Sequence, residues 1–569
     1  MANLTLSSPA EGQETTLLGP EQSARDWAVA LLVCAFSVLF LWPFLDFTGF
    51  LGDEGITLQG AQRILDGQVP YRDFFAFYTP GSYYWTALRF KLLGTSFFAA
   101  RVVLLFYGGL FSVCLYMLAR RICPRWLAGL TAYLFLMIGL PRNFLVLHNW
   151  DSTVLAVLAL YAAVRWAESS RRGWAFATGS LVSLTFLFEQ SKGAGLIVGL
   201  GLGFLVLARL GRSPDLLRPR NLSALAGGLA WPAILTFGYF ASQHSLRPML
   251  ADWFWPLHHY SLANRLPYAS VPNSCEGSIT LYRSGSVLRS LFIMTLTSPF
   301  FVVPFLPFLG LALLVPAACR GKRATQSSAT ASCCVLASAC GVGLVLSAVA
   351  TGRPDVDHLI YVSPPLILLL GMVLSGRLVQ SRLLTEVQPL LLTFLIVTFT
   401  AFGMMCLLSG PRRVGQSLET RRGHVKLPCC DTVLPYLQRH IPAGEEIFVY
   451  PHQPLYYFFT ATNSPIRFDY LQLGMHSEEE FEEARGQLAA HLPRAVVWAP
   501  AFNTELIPCF WPATTQQVLS KDLIRGFILA QYRVCTTLRA GQLPYVFLVR
   551  KDLPCPEETL PGRPRHLAR

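Results

Sequence analysis

The chain has 569 residues, of which 53% are hydrophobic and 14% charged, and it carries a formal net charge of +13. Its mean hydropathy of +0.43 excludes an ordinary soluble domain of this length and indicates a polytopic α-helical membrane protein. The basic surplus does not indicate nucleic acid as a partner, because Lys and Arg are spread over short connections instead of clustering with aromatics on one polar face.

Residues 1–26 are polar and poor in large apolar groups, as in a loosely ordered tail. From 27 to 410 apolar runs of about twenty residues recur about eleven times, each long enough for a helix to cross a hydrocarbon core of about 30 Å. The first run starts too late for a removed signal peptide and lacks a small-residue cleavage pattern, so it reads as a retained helix. Basic residues fall after every second span: Arg120, Arg121 and Arg125; Arg165, Arg171 and Arg172; Arg209, Arg212, Arg218 and Arg220; Arg320, Lys322 and Arg323; Arg377 and Arg382. Retention of such loops on the cytoplasmic side puts the N-terminus inside and the alternate connections outside.

The outer connections are unequal, with long ones at about 45–98 and 243–286. The first contains "DEGITLQGAQRILDG". As a helix this places Gln59, Gln62, Arg63 and Asp66 on one arc and Leu58, Ala61, Ile64 and Leu65 on the other, with Gly67 as the stop. Such a helix is expected to lie flat at the interface. Asp53 and Glu54 then occupy its first turn, where the dipole stabilises negative charge. They read either as a plain capping pair or as a general base held at the bilayer surface. A second acid, Asp151, follows His148, Asn149 and Trp150 at the outer start of the fourth span. Lys192, near Glu189, lies on a short outer turn and reads as an ion-pair partner or a phosphate contact. Arg353, Asp355, Asp357 and His358 share a later outer loop backed by Pro364 and Pro365. There Arg353 is either an interfacial anchor or a phosphate clasp.

From about 411 to 569 the character changes. "AGEEIFVYP", "RAVVWAPA" and "LPYVFLVRK" read as buried strands, and "SEEEFEEARGQLAAHL" as a helix with an acidic first turn. The alternation predicts a small extracytoplasmic α/β domain. It lacks a glycine-rich phosphate loop, and His452, Tyr456 and Tyr457 read as sugar-facing groups or as packing. The fourteen cysteines show no metal-ligand spacing. Cys275, Cys429, Cys430, Cys509, Cys535 and Cys555 fall in segments assigned outside, where disulfides are permitted; their pairing stays open.

The run from "DEGITLQGAQRILDGQVPYRDFFAFYTPGSYYW" to "LLGTSFFAARVV" resembles the first outer loop of the GT-C membrane glycosyltransferases, a group that includes protein O-mannosyltransferases and lipid A aminoarabinose transferases. "HNWDSTVL", "SKGAGL" and "RPDVDHLIYVSPPLILLL" resemble later motifs of the group in the same order. The resemblance implies a GT-C fold and a transferase that moves a sugar from a polyprenyl-phosphate donor to a lipid, glycan or protein acceptor by inverting displacement. It implies an enzyme of a bacterial cell membrane. Asp53 would be the base, with Glu54 and Asp151 in support. Lys192, Arg353, His358 and Arg63 would serve the donor phosphate, and Tyr71, Tyr83, Tyr84, His148 and Asn149 would line the substrate cavity. No metal site is expected, although some relatives use a divalent ion. Thr79 and Ile56 stand where the aminoarabinose transferases have Lys and Arg, so phosphate handling departs from theirs. The competing readings are a transporter or flippase, whose ionisable groups should lie mid-span at broken helices, and a scaffold that has lost the chemistry.

Overall fold

The computed structural model describes residues 23–49, 52–211, 215–259, 265–268, 287–319, 328–376, 382–507, 511 and 513–557. The tail 1–22, with Arg212, Cys275, Arg320, Lys322, Arg323, Arg377 and Cys509, lies outside the described residues.

Ser23 and Asp26 form a capping box that starts α1 (Ala24–Leu41). There follow α2 (Asp53–Leu65), α3 (Gly81–Leu93), α4 (Phe97–Ala119), α5 (Arg125–Ile138), α6 (His148–Ser169), α7 (Arg172–Phe188), α8 (Gln190–Arg209), α9 (Pro219–Ser242) and α10 (Leu246–His258). After these come α11 (Val287–Val302), α12 (Leu306–Cys319), α13 (Ser328–Ala350), α14 (Val356–Tyr361), α15 (Pro364–Leu374) and α16 (Arg382–Ser409). Among the described residues, 7 helices are long and apolar enough to cross a membrane, where the sequence suggests about eleven runs. The difference lies in shorter or less apolar helices such as α5, α6, α7 and α15, which pack among the long ones.

Small residues set the closest approaches. Gly195 of α8 meets Gly343 of α13 so tightly that a Cβ on Gly195 would lie 2.3 Å from the Gly343 carbonyl oxygen. Apolar surface gains nothing by leaving lipid, so backbone proximity of this kind is what holds such helices together. At one end of the bundle Arg120 and Arg125 pair with Asp26 at 2.7 and 2.9 Å, and Arg121 pairs with Glu168 at 2.6 Å. The opposite end, the head face, carries α2, α3, α10, α14 and the C-terminal domain.

That domain begins with a hairpin of β1 (Gln416–Thr420) and β2 (Gly423–Leu427). A 4-stranded sheet follows in the order β3-β4-β6-β5, with β3 (Ile447–Tyr450) parallel to β4 (Ala495–Trp498) and both β6 (Leu543–Arg550) and β5 (Tyr532–Ala540) antiparallel to their neighbours. β3 and β4 are buried along their whole length, which is why the sequence shows them as continuous apolar runs. The acidic helix spans Glu478–Ala490, capped by Ser477 and Glu480. Cys535 and Cys555 form a disulfide that ties the segment after β6 to β5.

The first head-face helix departs from expectation. Gly67, at φ 88°, ends α2 as anticipated, but only part of the polar arc faces water: Asp66 is exposed and Gln62 half-buried, whereas the other two members are covered. Gln59 is 1% and Arg63 6% exposed, because the C-terminal domain lies across that arc. Arg63 donates from Nη1 to Asp469 Oδ1 at 2.7 Å and from Nη2 to the Asp73 carbonyl at 3.0 Å.

Candidate active site

The two acids that open α2 go separate ways, since successive helix positions diverge by about 100°. Glu54 is fully buried. Arg101 of α4 donates from Nε and Nη2 to its two carboxylate oxygens at 2.9 and 2.6 Å, and the Val146 N–H donates to Oε1 at 2.9 Å. Arg101 also donates from Nη1 to the carbonyls of Phe44 and Phe47, and its guanidinium lies 4.3 Å from the Phe97 ring centre. Glu54 thus bolts α2 to the spans. Asp53, by contrast, has a side chain 62% exposed, with His452 Nε2 at 3.5 Å from Oδ1.

Asp151 is 3% exposed and accepts a 2.6 Å hydrogen bond from the Tyr107 hydroxyl, which accepts in turn from Trp85 Nε1 at 2.9 Å. The nearby Arg89 on α3 is 5% exposed and supplies the charge that offsets the Asp151 carboxylate. Lys192 is 2% exposed. Its Nζ donates to the Asn149 carbonyl, Ser152 Oγ and Thr153 Oγ1 at 2.9, 2.9 and 3.0 Å, and it pairs with Glu189 at 3.0 Å. In this conformation it clamps the start of α8 to the first turn of α6.

On the 353–358 loop Asp355 is buried and caps α14, accepting from the N–H groups of Asp357 and His358. Burial works against its carboxylate, yet His358 and Arg353 hold its pKa below the usual range. His358 Nδ1 and Arg353 Nε sit 2.9 and 3.3 Å from Asp355 Oδ2, and their side chains remain 25% and 13% exposed. Asp357 is engaged by Arg142 at 2.7 Å.

These groups form one neighbourhood. The Tyr361 hydroxyl feels the charges of Asp357, Asp53 and Asp355, and His148 those of Glu189, Lys192 and His358. His148 stacks on Tyr78 with ring centres 3.7 Å apart. The head face therefore brings together Asp53, His148, Asn149, Asp151, Lys192, Arg353 and His358. Arg63 stands apart, tied to Asp469. Tyr71 is buried, donating to the Tyr78 carbonyl and accepting from Trp253 Nε1, while Tyr83 packs against Phe74 and Tyr84 donates to the Tyr239 hydroxyl. Tyr71 and Tyr84 thus join the first outer loop to α10 and α9, and Tyr83 packs within it.

Arg101, Arg89, Tyr107 and Tyr361 were not singled out by the sequence analysis. A charge within or beside an apolar run is the signal that marks the two arginines. Among the described residues no three His, Cys, Asp or Glu side chains gather to hold a metal ion.

Residues 78–237 match the family model described as dolichyl-phosphate-mannose-protein mannosyltransferase. The matching family is one of glycosyltransferases. The matched stretch contains Asp151, Lys192, His148 and Asn149 but neither Asp53 nor the 353–358 loop, and it agrees with the GT-C resemblance drawn from the sequence motifs. No curated protein matches the chain. Among solved structures, the chain is similar to ArnT from Cupriavidus metallidurans bound to undecaprenyl phosphate, at 14% identity over 92% of this chain and 98% of that one, TM-score 0.46. It is similar to the oligosaccharyltransferase AglB from Archaeoglobus fulgidus in complex with an inhibitory peptide and a dolichol-phosphate, at 11% identity over 86% and 71%, TM-score 0.47. A protein O-mannosyltransferase complex of S. cerevisiae bound to the sugar donor follows at 16% identity over 46% and 40%, TM-score 0.32.

Proposed function

We propose that this integral membrane protein is a glycosyltransferase that takes a sugar from a polyprenyl-phosphate donor and passes it to an acceptor hydroxyl at the head face. One observation carries the reading. Of Asp53, Glu54, Asp151, Glu189, Asp355 and Asp357, only Asp53 presents an exposed carboxylate with no Arg or Lys engaging it. A base must reach its proton, and the other five are occupied in structure. The family match over 78–237 supports the reaction class.

Asp53 takes the proton of the acceptor O–H as that oxygen bonds to the anomeric carbon. The bond from that carbon to the phosphate oxygen breaks, and its electron pair leaves on the lipid phosphate. Arg353 and His358 suit the departing charge better than Lys192, because part of each side chain is exposed whereas Lys192 already spends its three protons. The head face would lie outside the cytoplasm and the N-terminus inside, following the basic loops gathered at the other end. Asp53→Asn is expected to slow donor consumption about 10²–10⁴-fold, measured on purified protein with a panel of polyprenyl-phosphate sugars. Unchanged turnover in that variant would remove Asp53 from the role.

A further inference from the structure

The proton-accepting carboxylate sits on the membrane bundle, but the imidazole beside it comes from the C-terminal domain. His452 follows β3, its side chain is 9% exposed, and Nε2 lies 3.5 Å from Asp53 Oδ1. The ring is held from several sides. It stacks on Phe502 at 5.6 Å with an interplanar angle of 5°, and meets the Tyr470 ring edge-on at 5.5 Å. On the remaining side it presses on the helix start: a Cβ on Gly52 would lie 2.8 Å from His452 Nδ1 and 2.5 Å from Gln453 Oε1. Gln453 itself holds φ at 149°, a backbone conformation that persists only where surroundings over-determine it. Two aromatic rings and a glycine thus hold one imidazole against one exposed carboxylate.

From this geometry we infer that His452 is a positioning residue for the transfer reaction, its Nε2–H aiming the Asp53 carboxylate at the acceptor and thereby making the C-terminal domain part of the active site. The inference rests on the assignment of Asp53 as base. The titratable groups facing the imidazole are Asp53 from α2 and Tyr470 and His476 from the domain itself. Burial lowers the His452 pKa while Asp53 opposes that shift, so at neutral pH the 3.5 Å contact is one between a neutral imidazole and a carboxylate. Protonation in acid turns the contact into a full ion pair, which weakens Asp53 as a base.

The test compares His452→Ala and His452→Gln, because a Gln side chain can return an N–H near the position of Nε2. The expected result is a fall in kcat of about 10–100-fold for His452→Ala, the range a misaimed group costs, with KM for the donor little changed. His452→Gln should recover most of the rate and move the acid limb of the pH profile, and His452→Ala should add nothing on top of Asp53→Asn. Equal losses in both His452 variants, or wild-type rates and acid limb in His452→Ala, would overturn the inference. A second readout needs no turnover. In 15N-histidine NMR of the full chain, Asp53→Asn should lower the His452 pKa further, and an unaltered titration refutes the pairing. An inactive wild type with the expected NMR shift would refute the reaction while leaving the pairing standing.

Discussion

Asp53 and Glu54 are chemically near-identical neighbours, and burial gives them different work. Glu54 has exchanged water for a bidentate Arg101, itself packed on the Phe97 ring, and a backbone N–H. Such a pair adds little net stability over an apolar substitute, but leaving one charge alone is costly. Glu54→Gln is therefore expected to destabilise the protein by about 3–5 kcal/mol, read as a fall in Tm in detergent. Arg101→Lys should fail as well, because an ammonium cannot bridge both carboxylate oxygens while also serving two carbonyls. Adjacent acids are visible in a sequence. Which of them is buried is not, since that depends on Arg101, which lies 47 positions away.

At the scale of elements, α2 is the piece on which spans and domain meet. Its boundaries were legible: an acidic first turn, an amphipathic middle and Gly67 at the end. The strands β3, β4 and β6 were equally legible, as was the capped acidic helix Glu478–Ala490, because continuous apolar runs and a Ser-x-x-Glu box are local signals. The environment of the polar arc was not. Periodicity reports that Gln59 and Arg63 share a side, but not that a domain encoded some 400 positions later covers it. The β1–β2 hairpin and β5 escaped notice too, their alternate positions being half-exposed and polar. The tight fit has a consequence for α2. A Cβ on Gly55 would lie 2.2 Å from the Leu455 backbone nitrogen, and backbone cannot rotate aside as a side chain does. Gly55→Ala should therefore lift the domain off the helix, seen as faster cleavage at the 411–415 linker in limited proteolysis and as lost donor turnover. Unaltered protease resistance would show that the two parts separate less easily than this packing requires.

For the molecule as a whole, the seam between bundle and domain is ionic as well as packed. Arg467 reaches Asp252 of α10 at 3.1 Å, and Arg63 reaches Asp469 at 2.7 Å. Burial raises the Asp252 pKa to about 7 despite the pull of Arg467, and raises that of Asp469 despite Arg63. A carboxyl whose folded pKa exceeds its unfolded value holds its proton more tightly when folded, so its contribution is greatest below about pH 4 and declines as pH rises toward 7. Thermal unfolding in detergent should show that decline between about pH 4 and 7, and Asp252→Asn should flatten it. A slope unaltered by Asp252→Asn would place the pH response elsewhere.

The Arg63–Asp469 bond joins residues 406 positions apart, and chains emerge from the ribosome with the N-terminal part first. Asp53 is thus made long before its imidazole neighbour has been translated, and the side of its helix that ends up covered by the domain is bare throughout that interval. A nascent chain stalled ahead of residue 411 would hold every described span yet leave Asp53 without the imidazole that the structure sets beside it.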